Sequence, residues 1–206
     1  MAVRTKSVPH KGKICVWTFP EGSQPAVRVE VDNGKILCAD LLKIVVRALE
    51  IYECNMHCFA LLRGIEKPTR KYGLDEYIYL PCNDIISIQR WSFDIKREKT
   101  RLGTDAGALH LLYLQSKADI QAGRIKVRPE AVALLEEYSE PEFLCEKQFV
   151  ELCQSMYGYA TVRITNCKIL NDLKMKEMKL EEGCNATLIL SKRGCVFKSG
   201  KCSLVF

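Results

Sequence analysis

From Ala108 to Val127 the chain reads ALHLLYLQSKADIQAGRIKV. Leu109, Leu112, Tyr113, Ser116 and Ile120 recur at helical spacing, which predicts a helix with one face apolar apart from a serine. Lys117, Asp119 and Gln121 fall largely off that stripe. Asp105 or Thr104 can cap the helix by accepting a bond from a free first-turn amide. Gly123 sits where the helix must stop, because a left-handed residue costs least where there is no Cβ. A short extended Ile125-Lys126-Val127 follows, and Pro129 restarts a helix at its first turn, with Ala131, Leu134, Leu135 and Tyr138 as its stripe. Ser139-Glu140-Pro141-Glu142 fits a capping box and predicts a third helix, buried through Phe143, Phe149, Val150, Cys153 and Met156. Three such helices can pack as a bundle, with Leu109, Leu112 and Tyr113 against Leu134, Leu135 and Val150.

The flanks alternate differently. Residues 1 to about 12 read as a flexible arm. Ile14 to Phe19 and Ala26 to Val31 read as strands around a turn at Pro20 to Pro25, and Asp32-Asn33-Gly34 is a second turn. Cys38 to Glu50 reads as a helix striped by Leu42, Val45, Val46 and Leu49. His57 to Leu62 and a stretch within Ile85 to Phe93 read as further strands. After Tyr157-Gly158-Tyr159, short strands are expected at Ala160–Ile164, Cys167–Leu170, Ala186–Leu190, Val196–Lys198 and Ser203–Phe206. Turns fall at Glu182-Gly183 and Arg193-Gly194.

Composition narrows the class. With 206 residues, 48% of them hydrophobic, the chain can bury a real core. A net charge of +6 permits attraction to an acidic membrane face or tail, but no DNA- or RNA-binding signature accompanies it, so nucleic acid is not an expected partner. The basic start MAVRTKSVPHKGK lacks the apolar run of a secretory signal, and Leu41 to Leu49 is interrupted by Lys43 and Arg47. No segment reaches the ~20 apolar residues a membrane span needs. These features predict a soluble cytosolic chain whose eleven cysteines are reduced and pack mostly as small hydrophobes.

The letters from Leu112 to Ile125, Leu-Tyr-x-Gln-x-x-x-Asp-Ile-x-x-Gly-x-Ile, carry more than a period. They resemble the first long helix and exit turn of the helical lobe of FERM domains, most of all those of the endosomal cargo-retrieval sorting nexins. The resemblance implies an α+β, FERM-type fold: a ubiquitin-like roll, a helical bundle like acyl-CoA-binding protein, then a partial PTB/PH-like β-sandwich. The expected organisation is an arm at 1–12, a ubiquitin-like lobe at 13–94, a helical lobe at 95–157 and a partial third lobe at 158–206. Cys38 stands where the family usually has a Thr or Ser cap, so that helix start should be weaker. A complete third lobe takes roughly 90 residues, and residues 158–206 supply 49. An unfinished sandwich would leave an apolar face around Val162, Ile164, Ile189 and Val205 uncovered, and the segment after about Leu170 loosely held.

What the resemblance implies about function is a non-enzymatic adaptor on the cytosolic face of endosomal membranes. It would bind cytoplasmic tails of membrane cargo, of the Asn-Pro-x-Tyr type, for sorting or recycling. The family's tail groove lies in later parts of the third lobe, so no cargo-binding residue is carried over and weak tail binding is expected. In that subfamily a phosphoinositide-binding PX domain precedes the FERM module, and there is no room for one before Lys13. Two alternatives stay open: a FERM linker between membrane proteins and actin, and a regulatory FERM fragment of a larger signalling enzyme.

Other chemistry is thin. His57-Cys58 with Arg63 has four apolar residues between Cys and Arg, where a tyrosine-phosphatase loop needs five and room for amides to wrap a phosphate. Cys54, His57 and Cys58 with Cys38 or Cys82 do not space as paired zinc ligands, nor do Cys184, Cys195 and Cys202. No phosphate loop, nucleophile elbow or His-Glu-x-x-His is present, so neither catalytic nor metal residues are named and no cofactor is implied. Three basic clusters remain: Arg63, Lys67, Arg70 and Lys71; Lys96, Arg97, Lys99 and Arg101; and Lys174, Lys176, Lys179, Lys192 and Arg193. The second falls at the junction of the first two lobes, where a cleft focuses its field, and is the candidate site for anionic lipid.

Overall fold

The computed structural model describes residues 11–19, 26–142, 144–170, 173–175, 178–192, 194–200 and 202–205. The expected turn at Pro20 to Pro25, together with Phe143, Lys176, Arg193 and Phe206, lies outside the described residues, as do the side chains of Arg101, Lys174, Lys179 and Cys202.

A five-stranded sheet opens the chain. β1 (Gly12–Trp17) pairs antiparallel with β2 (Val27–Val31), whose strict alternation buries Val27, Val29 and Val31. β7 (Ile86–Arg90) runs parallel to β1 and antiparallel to β4 (Phe59–Arg63), and β5 (Arg70–Lys71) closes the order β2-β1-β7-β4-β5. α1 (Cys38–Ala48) packs Leu41, Leu42, Val45 and Val46 into this sheet's core. A small ladder of β3 (Lys35–Leu37) with β6 (Tyr77–Tyr79) flanks it; neither strand is long enough to show alternation in the sequence.

Several expectations need correcting here. Cys38 is not a cap but the first helical residue, and it is buried. The amides of Cys38 and Ala39 instead donate to the carbonyls of Glu76 (2.8 Å) and Leu74 (3.1 Å), so the helix start is closed by backbone from a distant turn. His57 and Cys58 belong to a 3₁₀ turn, Glu53–Cys58, and the strand begins only at Phe59. The first strand starts at Gly12, inside the expected arm.

The helical portion has one helix more than the apolar pattern predicts. α2 (Ile95–Leu102) precedes α3 (Ala106–Gln121), which is followed by a 3₁₀ turn at Pro129–Ala131, α4 (Val132–Glu137) and α5 (Glu146–Gln154). Asp105 caps α3 by accepting from the Ala108 amide at 3.0 Å, and Gly123 takes φ 65° just past its end. α3 is buried on more of its circumference than the expected stripe: Gln115 and Asp119 are buried too. Leu134 is 41% exposed rather than packed under α3, whereas Leu135 and Val150 are buried as expected. Ser139 caps nothing. Its hydroxyl donates back to the Leu135 carbonyl at the end of α4, and α5 starts later, after Cys145, with no side-chain cap.

Beyond Tyr159 lies a four-stranded antiparallel sheet ordered β13-β12-β11-β8: β8 (Val162–Lys168), β11 (Asn185–Ser191), β12 (Gly194–Ser199) and β13 (Cys202–Val205). β8 is one strand running through Lys168, with a bulge opposite Ala186 to Leu188, rather than two. A separate hairpin joins β9 (Leu173–Met175) and β10 (Met178–Leu180). Val162 and Ile164 are not uncovered. They pack with Leu62 of β4 and against Trp91 and Phe93, so the first lobe covers that face; Ile189 is half-buried and Val205 is 51% exposed.

Candidate functional site

The stretch from Arg90 to Ala108 is where the lobes meet. Asp94 caps α2, accepting from the amides of Lys96 (3.0 Å) and Arg97 (3.1 Å). The eight residues of α2 then split into two faces. Ile95, Glu98 and Leu102 share the inner one; Glu98 and Leu102 are fully buried. Lys96, Arg97 and Lys99 are exposed on the outer face, and none of the three forms an ion pair among the described residues. Arg101 belongs to the same helix. The candidate lipid residues thus lie together on one short helix, held from behind.

Three of the four cations of the first basic cluster are engaged within the molecule. Arg63 pairs with Asp84 at 3.0 Å, Arg70 with Glu76 at 2.5 Å, and Lys71 lies over the Trp91 ring at 4.9 Å. Of the last cluster, only the Lys192 side chain is described, and it is exposed.

What holds α2 is a buried polar network that the sequence reading did not single out. Glu98, only 2% exposed, accepts through one oxygen from the Gln154 amide group (2.8 Å) and the Tyr159 hydroxyl (2.5 Å). The guanidinium of Arg90, 1% exposed, lies 4.1 Å from the Tyr159 ring centroid. Its three nitrogens have no hydrogen-bond acceptor among the described residues, nor has the second Glu98 oxygen a donor. Burial alone would push Arg90 toward its neutral form. The Tyr159 oxygen, Glu98 and Asp119 outweigh it, so its pKa lies above the ordinary value. Burial, with Glu98 beside it, raises the Tyr159 phenol in turn, although the Arg90 charge pulls the other way. The Cys153 thiol is pushed up to about 12, also by burial.

A second clamp lies beside the first. Asp105 is buried, and its other oxygen accepts from the Tyr52 amide (2.9 Å) and the Asn55 side chain (2.7 Å), tying the first lobe to the start of α3. Gly107 lets α3 approach the end of α1: a Cβ there would lie 2.2 Å from the Leu49 carbonyl oxygen. The backbone amide of Arg90 donates to Gln115 of α3 at 2.8 Å. On the third side, the Thr165 amide of β8 donates to the Pro68 carbonyl at 2.8 Å.

The tempting Cys58 is buried, its sulfur 3.5 Å from His57 Nε2, and Arg63 is engaged with Asp84. That arrangement lacks the ring of free amides an anion-binding nucleophile needs. Among the described residues no three His, Cys, Asp or Glu side chains stand together as metal ligands. No described helix is long and apolar enough to cross a membrane.

Comparison with known proteins places this arrangement. No protein-family model matches the chain, and no curated protein matches it. Solved structures do. The myosin VII MyTH4-FERM MF2 domain of Dictyostelium discoideum is similar over 96% of this chain, with a TM-score of 0.62 and 12% identity. The complex of the FERM and C-terminal domains of Drosophila Merlin is similar over 94% of the chain, with a TM-score of 0.52 and 13% identity. The chain covers 52% of the myosin structure and 79% of the Merlin one. The fold is therefore α+β and FERM-type, as the residues from Leu112 to Ile125 imply: roll, helical bundle and partial sandwich.

Proposed function

We propose that the chain is a non-enzymatic FERM-type adaptor that sits on the cytosolic face of endosomal membranes and binds cytoplasmic tails of membrane cargo. The observation that carries its membrane half is the two-faced α2. Glu98 fixes the helix from within, so Lys96, Arg97 and Lys99 present cations to an acidic surface without being spent on ion pairs among the described residues; Arg101 belongs to the same helix. Each such cation near an anionic leaflet contributes about 1 kcal/mol of attraction. The tail-binding half, including preference for Asn-Pro-x-Tyr cargo, is supported by the fold and by the resemblance to sorting nexins. FERM modules work as binding scaffolds, and the buried Cys58 with its engaged Arg63 fits that role better than catalysis.

Sedimentation with phosphatidylserine-rich vesicles tests the membrane half. Binding should be clear at ~0.05 M salt and fade at ~0.5 M, since exposed charges are screened. The triple change Lys96→Glu, Arg97→Glu and Lys99→Glu should abolish it. Salt-independent sedimentation, or binding by the triple variant, would sink α2 as the lipid face. A fluorescent Asn-Pro-x-Tyr peptide tests the cargo half. Binding unaltered when its Asn and Tyr become Ala would remove that class of tail.

A further inference from the structure

A second surface lies in the helical lobe, away from α2. Ile120 of α3, Val127 beyond it, Val132 and Leu135 of α4, Pro141 and Phe149 of α5 line an open apolar groove of about 720 Å³. Phe149 and Leu135 are buried at its base, while Val132 is 43% exposed. Its rim carries two acids to one base. Glu136 and Glu140 stand on it, and so does Lys117, whose amine lies 3.4 Å from the Tyr113 hydroxyl. Residues 129–146 contain six glutamates and no lysine or arginine, in a chain whose net charge is +6. Of these, Glu136, Glu137, Glu140 and Glu142 are exposed and form no ion pair among the described residues.

From this we infer that the groove is the docking site for a partner's amphipathic helix whose apolar face is flanked by lysines or arginines. Two features select that occupant. The acidic rim stands against the charge of the rest of the chain, so a basic flank is attracted here and repelled elsewhere. The walls are helices and connecting turns, with no strand edge among the lining residues. An extended peptide would find no backbone ladder to join, whereas a helix that already satisfies its own backbone needs only a place for side chains at i, i+3, i+4 and i+7. This surface stands apart from the lipid-binding proposal and does not rest on it.

The test uses the whole chain and a pair of synthetic helices with the same leucine face, one flanked by lysines and one by glutamates, followed by fluorescence anisotropy. The lysine helix should bind at least ~10-fold more tightly than the glutamate helix, a difference of about 1.4 kcal/mol. Replacing its leucines by serine should abolish binding. Glu136→Lys with Glu140→Lys should invert the preference, and Val132→Asp should weaken both peptides; all three sites are exposed, and a thermal melt verifies the fold. Equal binding of the two helices, no binding of either, or binding unmoved by both variants would overturn the inference.

Discussion

Two buried acids hold the lobes of this molecule together, and they are satisfied in opposite ways. Both oxygens of Asp105 are taken by neutral donors: the Ala108 amide, the Tyr52 amide and the Asn55 side chain. Glu98 concentrates its two partners on one oxygen, leaves the other without a donor, and shares its pocket with a guanidinium that has no hydrogen bonds among the described residues. The first seam is closed by hydrogen bonds alone, and the second adds a buried guanidinium stacked on Tyr159 to its two hydrogen bonds. Hydrogen bonds of the first kind cannot be removed without orphaning donors. Opposite charges buried near each other, as Arg90 and Glu98 are, can be replaced together, because their attraction barely repays desolvation.

The largest expected effect breaks the second seam on one side only. Arg90→Met should cost ~3–5 kcal/mol, because it leaves Glu98 without its compensating charge. Adding Glu98→Gln, which keeps an acceptor for Gln154 and Tyr159, should restore most of that loss. Urea melts of the single and double variants test this; a double variant no better than the single one would show that the two residues do not act as a unit. Asp105→Ala comes next, at about 3 kcal/mol, since three donors lose their acceptor. It should find no rescue in Asn55→Leu, because both amides stay unpaired; full rescue would make the two seams alike.

The third effect is alkaline. Cys153 has an ordinary thiol value of 9.0 when unfolded and about 12 when folded. The folded state therefore holds a proton that the unfolded state has released, so this contribution is intact below about pH 9 and is lost between pH 9 and about 12. Cys153→Ala should flatten the fall of stability across that window; an unchanged slope would remove Cys153 as its source. Smallest of all, the triple Lys-and-Arg-to-Glu change on the outer face of α2 should shift stability by less than ~0.5 kcal/mol. A larger loss in the same melts would mean that the outer face, too, is part of the seam.

The two seams also differ in how far they can be read from the letters. Asp105 is a helix cap, a local rule, and its assignment follows from its place before Ala106. That Tyr52 and Asn55 would share it could not be read, since nothing local connects positions fifty residues apart. α2 escapes a periodicity search for a definite reason. Its inner face is Ile95, Glu98 and Leu102, so a glutamate stands in the middle of the apolar stripe. The same glutamate makes the run Lys96 to Arg101 look like solvated charge, which hides the network but leaves the cluster of cations in plain view. Ser139 shows the reverse error: a capping pattern is present, but the hydroxyl is used by the preceding helix. At Cys38 the missing cap is replaced by carbonyls from residues 74 and 76, a substitution only the tertiary fold can make.

The division of α2 into a locked side and a free side has a consequence for what changes the chain can absorb. Each residue turns an α-helix by about 100°, so one residue inserted just after Asp94 would swing Arg97 into the place of Glu98, toward Arg90, and send the glutamate outward. Both sides would fail together, although no residue of either had been altered. The exposed side chains of α2 can be exchanged one at a time, but its length acts as a gear tooth: the spacing from the Asp94 cap to Glu98 sets which charges face the interior and which face the world.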